Sequence, residues 1–124
     1  SLLFASYRQV KEQLELSLNI IEEIIGTRPN LFRPPFGRFN LNVLRACADE
    51  NIKLVLWSLS VKDWQPTSSD ILSGRILSCA KSGDILLLHD HGAGALNMLE
   101  ALPAVITGLR ERGFTLKALP QRGI

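Results

Sequence analysis

Three short polar segments contain side chains that could take part in hydrolysis. Arg33 is followed by Pro-Pro-Phe-Gly, Asp63 by a tryptophan, and His89 by Asp90 and His91. A histidine titrates near neutral pH, so His89 could hold a proton for a leaving group. A carboxylate such as Asp63 would orient the imidazole ring if the two residues lay close together. The residue types therefore indicate acid–base chemistry.

Each segment also has an ordinary structural interpretation. Arg33 could be a surface arginine ahead of a proline turn, Asp63 a loop carboxylate and His89 a structural histidine. Asp90 and His91 could form a metal pair with His89, but neighbouring residues of an extended strand point to opposite faces. Two histidines also give too few ligands for a zinc site. Loop positions are therefore the favoured interpretation of Asp90 and His91.

The apolar pattern predicts four amphipathic helices, because apolar residues recur every three or four positions with polar residues between them. Glycine and asparagine mark their ends, and asparagine and serine their starts. The predicted limits are Gly26 for the end of the first helix, Asn40 and Asn51 for the second, Ser68 or Ser69 and Gly83 for the third, and Gly113 for the last, which tolerates Pro103 near its start.

Short apolar runs between the helices predict strands at residues 31–33, 54–57, 85–88 and 114–119. The order α-β-α-β-α-β-α-β is typical of parallel βα units in an α/β fold, either a barrel or an open sheet. Four strands are too few to close a barrel, which needs about eight. The predicted inner residues of the helices are Val10, Leu14, Leu18, Ile21 and Ile25; Leu41, Leu44 and Cys47; Ile71, Leu72, Ile76 and Cys79; and Leu99, Leu102, Ile106 and Leu109.

In parallel α/β folds the functional groups collect at the carboxyl ends of the strands. Arg33, Asp63 and His89 each follow a predicted strand. We therefore expect these three side chains to converge on one edge of the sheet.

Size and composition favour a single small domain over residues 1–124. The net charge of +2 is too small to indicate a nucleic-acid or membrane surface. Cys47 and Cys79 lie far apart inside helical patterns and are expected to be buried free thiols. No apolar run approaches the roughly 20 residues that span a bilayer. Because Ser1 is not an initiator methionine, the absence of a targeting signal carries little weight.

The order of the three polar segments resembles that of a known family. Arg33 to Gly37 looks like an RxP(Y/F)G motif, and Leu87 to His89 resembles an LxH motif. Asp63-Trp64 resembles the end of a DxxDW motif, in which Ser60 takes the place of the first aspartate. Together they resemble the NodB-homology polysaccharide deacetylases, carbohydrate esterase family four. The resemblance extends from the first predicted helix to the last predicted strand.

This resemblance implies a distorted (β/α) barrel that hydrolyses N- or O-acetyl groups of chitin, peptidoglycan or xylan. It implies acetylated polysaccharide as the partner, a secreted, periplasmic or cell-envelope location, and a divalent metal, usually zinc, as the cofactor. In the family an aspartate pair and an HxxxH motif supply the base and the metal ligands. Neither motif occurs here. The chain is therefore expected to be the C-terminal part of the barrel, without its first strands and without metal ligands.

The resemblance also implies roles for single residues. His89 would be the general acid, Asp63 its partner, and Arg33 the residue that holds the catalytic aspartate. With only this half of the site, the chain alone is expected to be inactive. The expected substrate-binding groups are the backbone N–H of Phe36, which would bind the oxyanion, and the side chains of Trp64 and Leu87, which would line the acetyl pocket.

Two other classes of protein fit the same residues. A truncated barrel could pair with a second copy to cover its open strand edges, as a non-catalytic oligomerising or glycan-binding remnant. An unrelated small α/β domain could also match the motifs by chance.

Overall fold

Helices alternate with short parallel strands in the computed structural model, which describes residues 2–120. By contact density the described residues form two compact units: unit 1 holds residues 2–56 and Pro120, and unit 2 holds Trp57–Leu119. The elements are α1 (Tyr7–Ile25), β1 (Leu31–Phe32), a 3₁₀ turn (Pro35–Gly37), α2 (Leu41–Asp49), β2 (Lys53–Leu54), β3 (Leu59–Ser60), α3 (Ser69–Cys79), β4 (Leu86–Leu87) and α4 (Ala95–Glu111).

Unit 1 packs α1 and α2 beside the parallel pair β1–β2. Helix α1 begins with a capping box, in which the side chains of Ser6 and Gln9 each accept a hydrogen bond from the other's backbone N–H. It ends at Gly26, whose φ of 72° is the left-handed conformation that glycine adopts without strain. Asn40 caps α2 through the N–H of Val43. The buried core comprises Val10, Leu14, Leu18, Val43, Ala46, Cys47 and Ile52.

Unit 2 packs α3 against α4 beside the parallel pair β3–β4. Ser68, one of the two residues predicted as the cap of α3, accepts a hydrogen bond from the N–H of Ile71. The register pairs Leu59 with Leu86 and Ser60 with Leu87. The buried core comprises Val61, Leu72, Ile76, Met98, Ala101, Val105 and Leu109.

The strands differ from the prediction in two places. The predicted strand 54–57 pairs with β1 only up to the N–H of Val55, and pairing resumes in a strand that was not predicted, β3. Strand β1 ends at Phe32, and Arg33 is followed by Pro34 and Pro35. Proline has no N–H with which to extend the ladder of hydrogen bonds. The predicted strand 114–119 is wrong, because a strand needs a hydrogen-bonded neighbour and no described residue pairs with this segment.

The helices also differ in detail. Helix α3 ends at Cys79 rather than at Gly83, which takes its φ of 88° in the turn before β4. Helix α4 begins at Ala95, so Pro103 lies in its interior rather than near its start. Among the described helices, none is long and apolar enough to cross a bilayer.

Several predicted inner positions face solvent instead. Ile71 and Leu99 are 49% and 66% exposed, whereas their neighbours Leu72 and Met98 are buried. Leu72 was predicted to be an inner residue, whereas Met98 was not. Adjacent helical residues point about 100° apart, so the neighbour of a buried residue can lie on the exposed face. Cys79 is exposed, contrary to prediction, while Cys47 is buried as predicted and both thiols are free. The other inner positions that prove exposed are Ile21, Ile25, Leu41 and Leu44.

Candidate active site

The carboxylate of Asp63 makes two contacts with His89 in unit 2. Its Oδ1 lies 2.9 Å from Nδ1 of the imidazole, and its Oδ2 accepts the backbone N–H of His89 at 2.6 Å. A carboxylate can only accept, so the ring donates from Nδ1. Asp63 is 1% exposed, and a buried carboxylate needs such partners to offset its lost hydration. The pair leaves Nε2 of His89 as the ring nitrogen available to a substrate.

A turn after β3 places Asp63. Val61 is buried in the core of unit 2, and the next residue, Lys62, has a φ of 56°. This left-handed conformation is uncommon for a residue with a side chain. The N–H of Gln65 closes the turn by donating to the carbonyl of Lys62 at 3.0 Å. The backbone therefore reverses at the residue next to the carboxylate.

Trp64 lies against the ring of His89. The two ring centroids are 5.3 Å apart with an interplanar angle of 74°, which is an edge-to-face contact. Trp64 is 44% exposed, so it keeps a free surface beside the histidine. The indole can therefore limit the rotation of the imidazole and still meet a ligand.

An apolar cavity of about 420 Å³ adjoins His89 on the side of α4. Neither Trp64 nor Leu87 lines it; Leu87 lies in β4 paired with Ser60. The predicted acetyl pocket formed by Trp64 and Leu87 stays a prediction. The lining includes Leu88, His89 and Asp90 and, from α4, Ala95, Met98 and Leu102.

Arg33 and Phe36 belong to unit 1. Nη2 of Arg33 donates to the carbonyl of Leu56 at 3.2 Å. Phe36 is 87% exposed and has a φ of 58°, followed by Gly37 with a φ of 65°. Because Arg33 lies in a different unit from Asp63 and His89, the predicted convergence of the three side chains stays a prediction.

The described residues offer no set of metal ligands. No group of three histidine, cysteine, aspartate or glutamate side chains lies close enough in residues 2–120 to hold a metal ion. Nδ1 of His91 is 3.6 Å from the carboxylate of Asp90, and both side chains are almost fully exposed. A divalent cofactor therefore does not fit the groups present in this part of the chain.

Sequence reasoning missed the backbone contact between Asp63 and His89. The motif spacing names both residues, but a backbone N–H is common to every residue and leaves no signal in the sequence. The contact joins positions 26 residues apart and depends on the parallel pairing of β3 with β4.

Comparison with known proteins finds similarity to one family. The family model described as polysaccharide deacetylase matches residues 1–55. The uncharacterized protein YlxY of Bacillus subtilis is 32% identical over 108 residues, which cover 87% of this chain and 33% of that protein. A chitooligosaccharide deacetylase of Azorhizobium caulinodans is 30% identical, over 90% of this chain and 59% of that protein. The chain is therefore similar to polysaccharide deacetylases over most of its length.

A third curated relative also matches over only part of its length. A peptidoglycan-N-acetylglucosamine deacetylase of Bacillus cereus is 27% identical, over 90% of this chain and 41% of that protein. The chain thus spans between about a third and three fifths of these three curated relatives. It corresponds to a C-terminal part of the matched proteins.

Solved structures of family four carbohydrate esterases share the α/β fold with parallel strands. The peptidoglycan N-acetylglucosamine deacetylase Bc1960, solved with a naphthalenyl-benzamide hydroxamate, superposes with a TM-score of 0.83 at 26% identity, over 90% of this chain and 53% of that one. The Bacillus anthracis protein BA3943, described as a family pseudoenzyme, superposes with a TM-score of 0.81 at 27% identity, over 90% and 38%. The fold therefore occurs in a protein named as a deacetylase and in one described as a pseudoenzyme.

Proposed function

We propose that this chain supplies the proton-donating part of a polysaccharide deacetylase site. The observation that carries the proposal is the double contact of the buried Asp63 carboxylate with the ring and the backbone of His89. Proton donation needs a titratable group held in one orientation, and this contact provides the orientation. We further propose that the alternating helices and strands form part of a NodB-type barrel.

The proposed chemistry is protonation of the leaving group. Hydrolysis of an acetamide adds water oxygen to the acetyl carbonyl and then breaks the C–N bond. The departing nitrogen takes a proton from Nε2–H of His89, while Nδ1–H stays hydrogen-bonded to Asp63. The charge that the ring carries before the transfer is stabilised by the carboxylate beside it. Zinc is the cofactor that the family resemblance implies, but the described residues do not fit it, so the proposal concerns proton donation alone.

The proposed substrate is an N-acetylated glycan. Two of the relatives are named for peptidoglycan N-acetylglucosamine and chitooligosaccharide, which share the N-acetylated amino sugar. We assign oxyanion binding to the backbone N–H of Phe36, and pairing with the catalytic carboxylate to Arg33. Contact with the acetyl methyl group is assigned to Trp64 and Leu87.

A chimera tests the role of His89. This chain replaces the matching part of the Bacillus cereus deacetylase, and acetate release from an N-acetylated chitooligosaccharide is measured. We expect His89→Gln and Asp63→Asn to lower kcat by roughly 10²- to 10⁴-fold, the usual contribution of a general acid. His91→Gln is the matched control, because this exposed histidine lies beside Asp90 and takes no part in the Asp63–His89 contact, and kcat should stay unchanged.

Two results would contradict this proposal. An unchanged kcat in His89→Gln would remove the general-acid role. A chimera that folds but releases no acetate before any substitution would favour the second candidate below.

The isolated chain is expected to be inactive. Its described residues hold no group of metal ligands, so they cannot activate water in the way that the resemblance implies. Purified chain, with or without added zinc, should release no acetate from the same oligosaccharide. Release above the level of a buffer blank would show that the chain contains a complete site.

The second candidate is a non-catalytic, self-associating domain of the same family. Two observations favour it: the similarity to the pseudoenzyme BA3943, and an apolar stripe on α1. The stripe comprises Leu16, Ile20 and Ile24, which are spaced four apart and are 54%, 48% and 76% exposed. Light scattering should then show a dimer or larger species, and a stable monomer at high concentration would argue against this candidate.

A further inference from the structure

We infer that Gly94 is a positioning residue for the Asp63–His89 pair, because only glycine leaves room for the Asp63 backbone against the start of α4. The inference stands on contacts within unit 2. Its importance for catalysis rests on the function proposed above.

The space at Gly94 is already occupied by the loop that carries Asp63. A Cβ atom added to Gly94 would lie 1.9 Å from the carbonyl oxygen of Asp63 and 2.9 Å from its carbonyl carbon. It would also lie 3.1 Å from the carbonyl carbon of Trp64. These neighbours are backbone atoms, which cannot rotate aside as the tip of a side chain can. Any other residue at position 94 would therefore displace the loop.

The requirement at Gly94 is one of space and not of backbone conformation. Its φ of −92° and ψ of −8° are open to any residue. Gly94 is the N-cap of α4, a position that favours serine, threonine, aspartate, asparagine or glycine. The other three described helices have side-chain caps, from Ser6, Asn40 and Ser68. Helix α4 has no side-chain cap, and the Asp63 carbonyl occupies the space that a side chain at position 94 would need.

A second contact holds the same loop to the first turn of α4. Nδ2 of Asn97 donates to the carbonyl of Thr67 at 2.5 Å. The loop is thus attached at Thr67 and packed at Gly94, while its carboxylate reaches His89. A shift at Gly94 moves the Asp63 backbone directly and so breaks the 2.9 Å contact with Nδ1 of His89.

The tautomer of His89 reports this positioning without any substrate. The contact with Asp63 keeps the neutral ring protonated at Nδ1, whereas a free neutral imidazole side chain prefers Nε2–H. In ¹⁵N-labelled chain above the titration range of the ring, we expect Nδ1–H for His89 in the parent. In Gly94→Ala we expect Nε2–H to predominate. The exposed His91 gives an internal reference in the same spectrum.

Two glycine variants serve as controls. Gly74 lies inside α3 with nothing within 4 Å of an added Cβ, so Gly74→Ala should leave the His89 tautomer unchanged. Gly108 lies in α4 against the side chain of Leu77, at 2.8 Å from the added Cβ. Gly108→Ala therefore changes the packing of α4 against Leu77, but it should keep His89 as Nδ1–H. This variant separates loss of positioning at Gly94 from a general change in the packing of α4.

Retention of the Nδ1–H tautomer in folded Gly94→Ala would overturn the inference. A change of tautomer in Gly108→Ala equal to that in Gly94→Ala would also overturn it. If Gly94→Ala does not fold, the inference is tested in the unsubstituted chain. There we expect nuclear Overhauser contacts between the Hα protons of Gly94 and the amide proton of Trp64. Their absence would refute the close approach of Gly94 to the backbone of the Asp63 loop. Because the readout needs no turnover, an inactive chimera with the expected tautomers would reject the proposed function and keep the positioning role.

Discussion

The turn around Phe36 and the loop around Asp63 contain two motifs of the same resemblance but differ in how they are held. Phe36 is 87% exposed, and its ring extends away from the core of unit 1. Asp63 is 1% exposed, and its carboxylate is bound by His89. Both segments include a non-glycine residue with a left-handed backbone conformation: Phe36 has a φ of 58° and Lys62 a φ of 56°.

Under the proposed function, the exposed turn serves recognition and the buried pair serves proton transfer. An exposed turn with an unusual backbone can present its N–H groups to a ligand, and the strain is retained where function requires it. The buried carboxylate of Asp63 already binds His89 within the chain, and its role is to hold the imidazole ring in one orientation. The second motif is therefore the part of the candidate site that this chain can build by itself.

The largest effect on stability is expected from Asp63→Ala. The change leaves the N–H and Nδ1–H of His89 without their acceptor, and we expect the free energy of unfolding to fall by about 2–4 kcal/mol. Urea denaturation measures it. Asp90→Ala is the matched control, since this carboxylate is exposed and lies 3.6 Å from the equally exposed His91, and its effect should stay within about 0.5 kcal/mol. Equal losses in the free energy of unfolding for the two variants would show that the buried carboxylate contributes no more to stability than the exposed one.

A smaller effect is expected from glycine at the two strained positions. The left-handed conformation costs a residue with a side chain about 1–2 kcal/mol, and glycine avoids this cost. Glycine in turn loses about 0.5–1 kcal/mol more than alanine through the entropy of the unfolded chain. Phe36→Gly and Lys62→Gly should therefore each raise the free energy of unfolding by up to about 1 kcal/mol. Urea midpoints measure the change. Gly26→Ala is the reverse control, because its φ is 72° with open space around it, and it should destabilise. Clear destabilisation in Phe36→Gly would show that the phenyl ring contributes packing.

The smallest effect on stability is expected from the contact between Ser58 and Asp84, which lie just before β3 and β4. The Ser58 hydroxyl and the Lys81 backbone N–H donate to Asp84 and hold the pKa of its carboxyl below the ordinary value. A lowered folded pKa stabilises the fold above the unfolded pKa, and this contribution is lost as pH falls through the folded value. Asp84→Asn should therefore lower Tm at pH 6, with a smaller difference at pH 3. The exposed variant Asp90→Asn should show little difference at either pH, and a constant offset in Asp84→Asn would contradict the electrostatic cause.

The helices and their caps could be predicted from the sequence because their interactions are local. Ser6, Asn40 and Ser68 each bond to a backbone N–H three residues away, and Gly26 ends α1 through its own conformation. The faces were less predictable: Ile71 and Leu72 are both apolar, and only packing against α4 buries the second.

Long-range pairing was beyond the sequence pattern. The run at 54–57 has the composition of one strand, yet its pairing with β1 stops beside two prolines and pairing resumes in β3. Residues 114–119 also have a strand-like composition, but ladders form between segments and a single segment does not encode its neighbour.

The sequence by itself determined the helices, the parallel α/β class and the order of the three motifs, since these depend on residue type and near spacing. Tertiary structure alone decided that Asp63 binds both the ring and the backbone of His89, 26 residues away. It also decided that Gly94 must be glycine, because the carbonyl of Asp63 fills the space that a side chain would need.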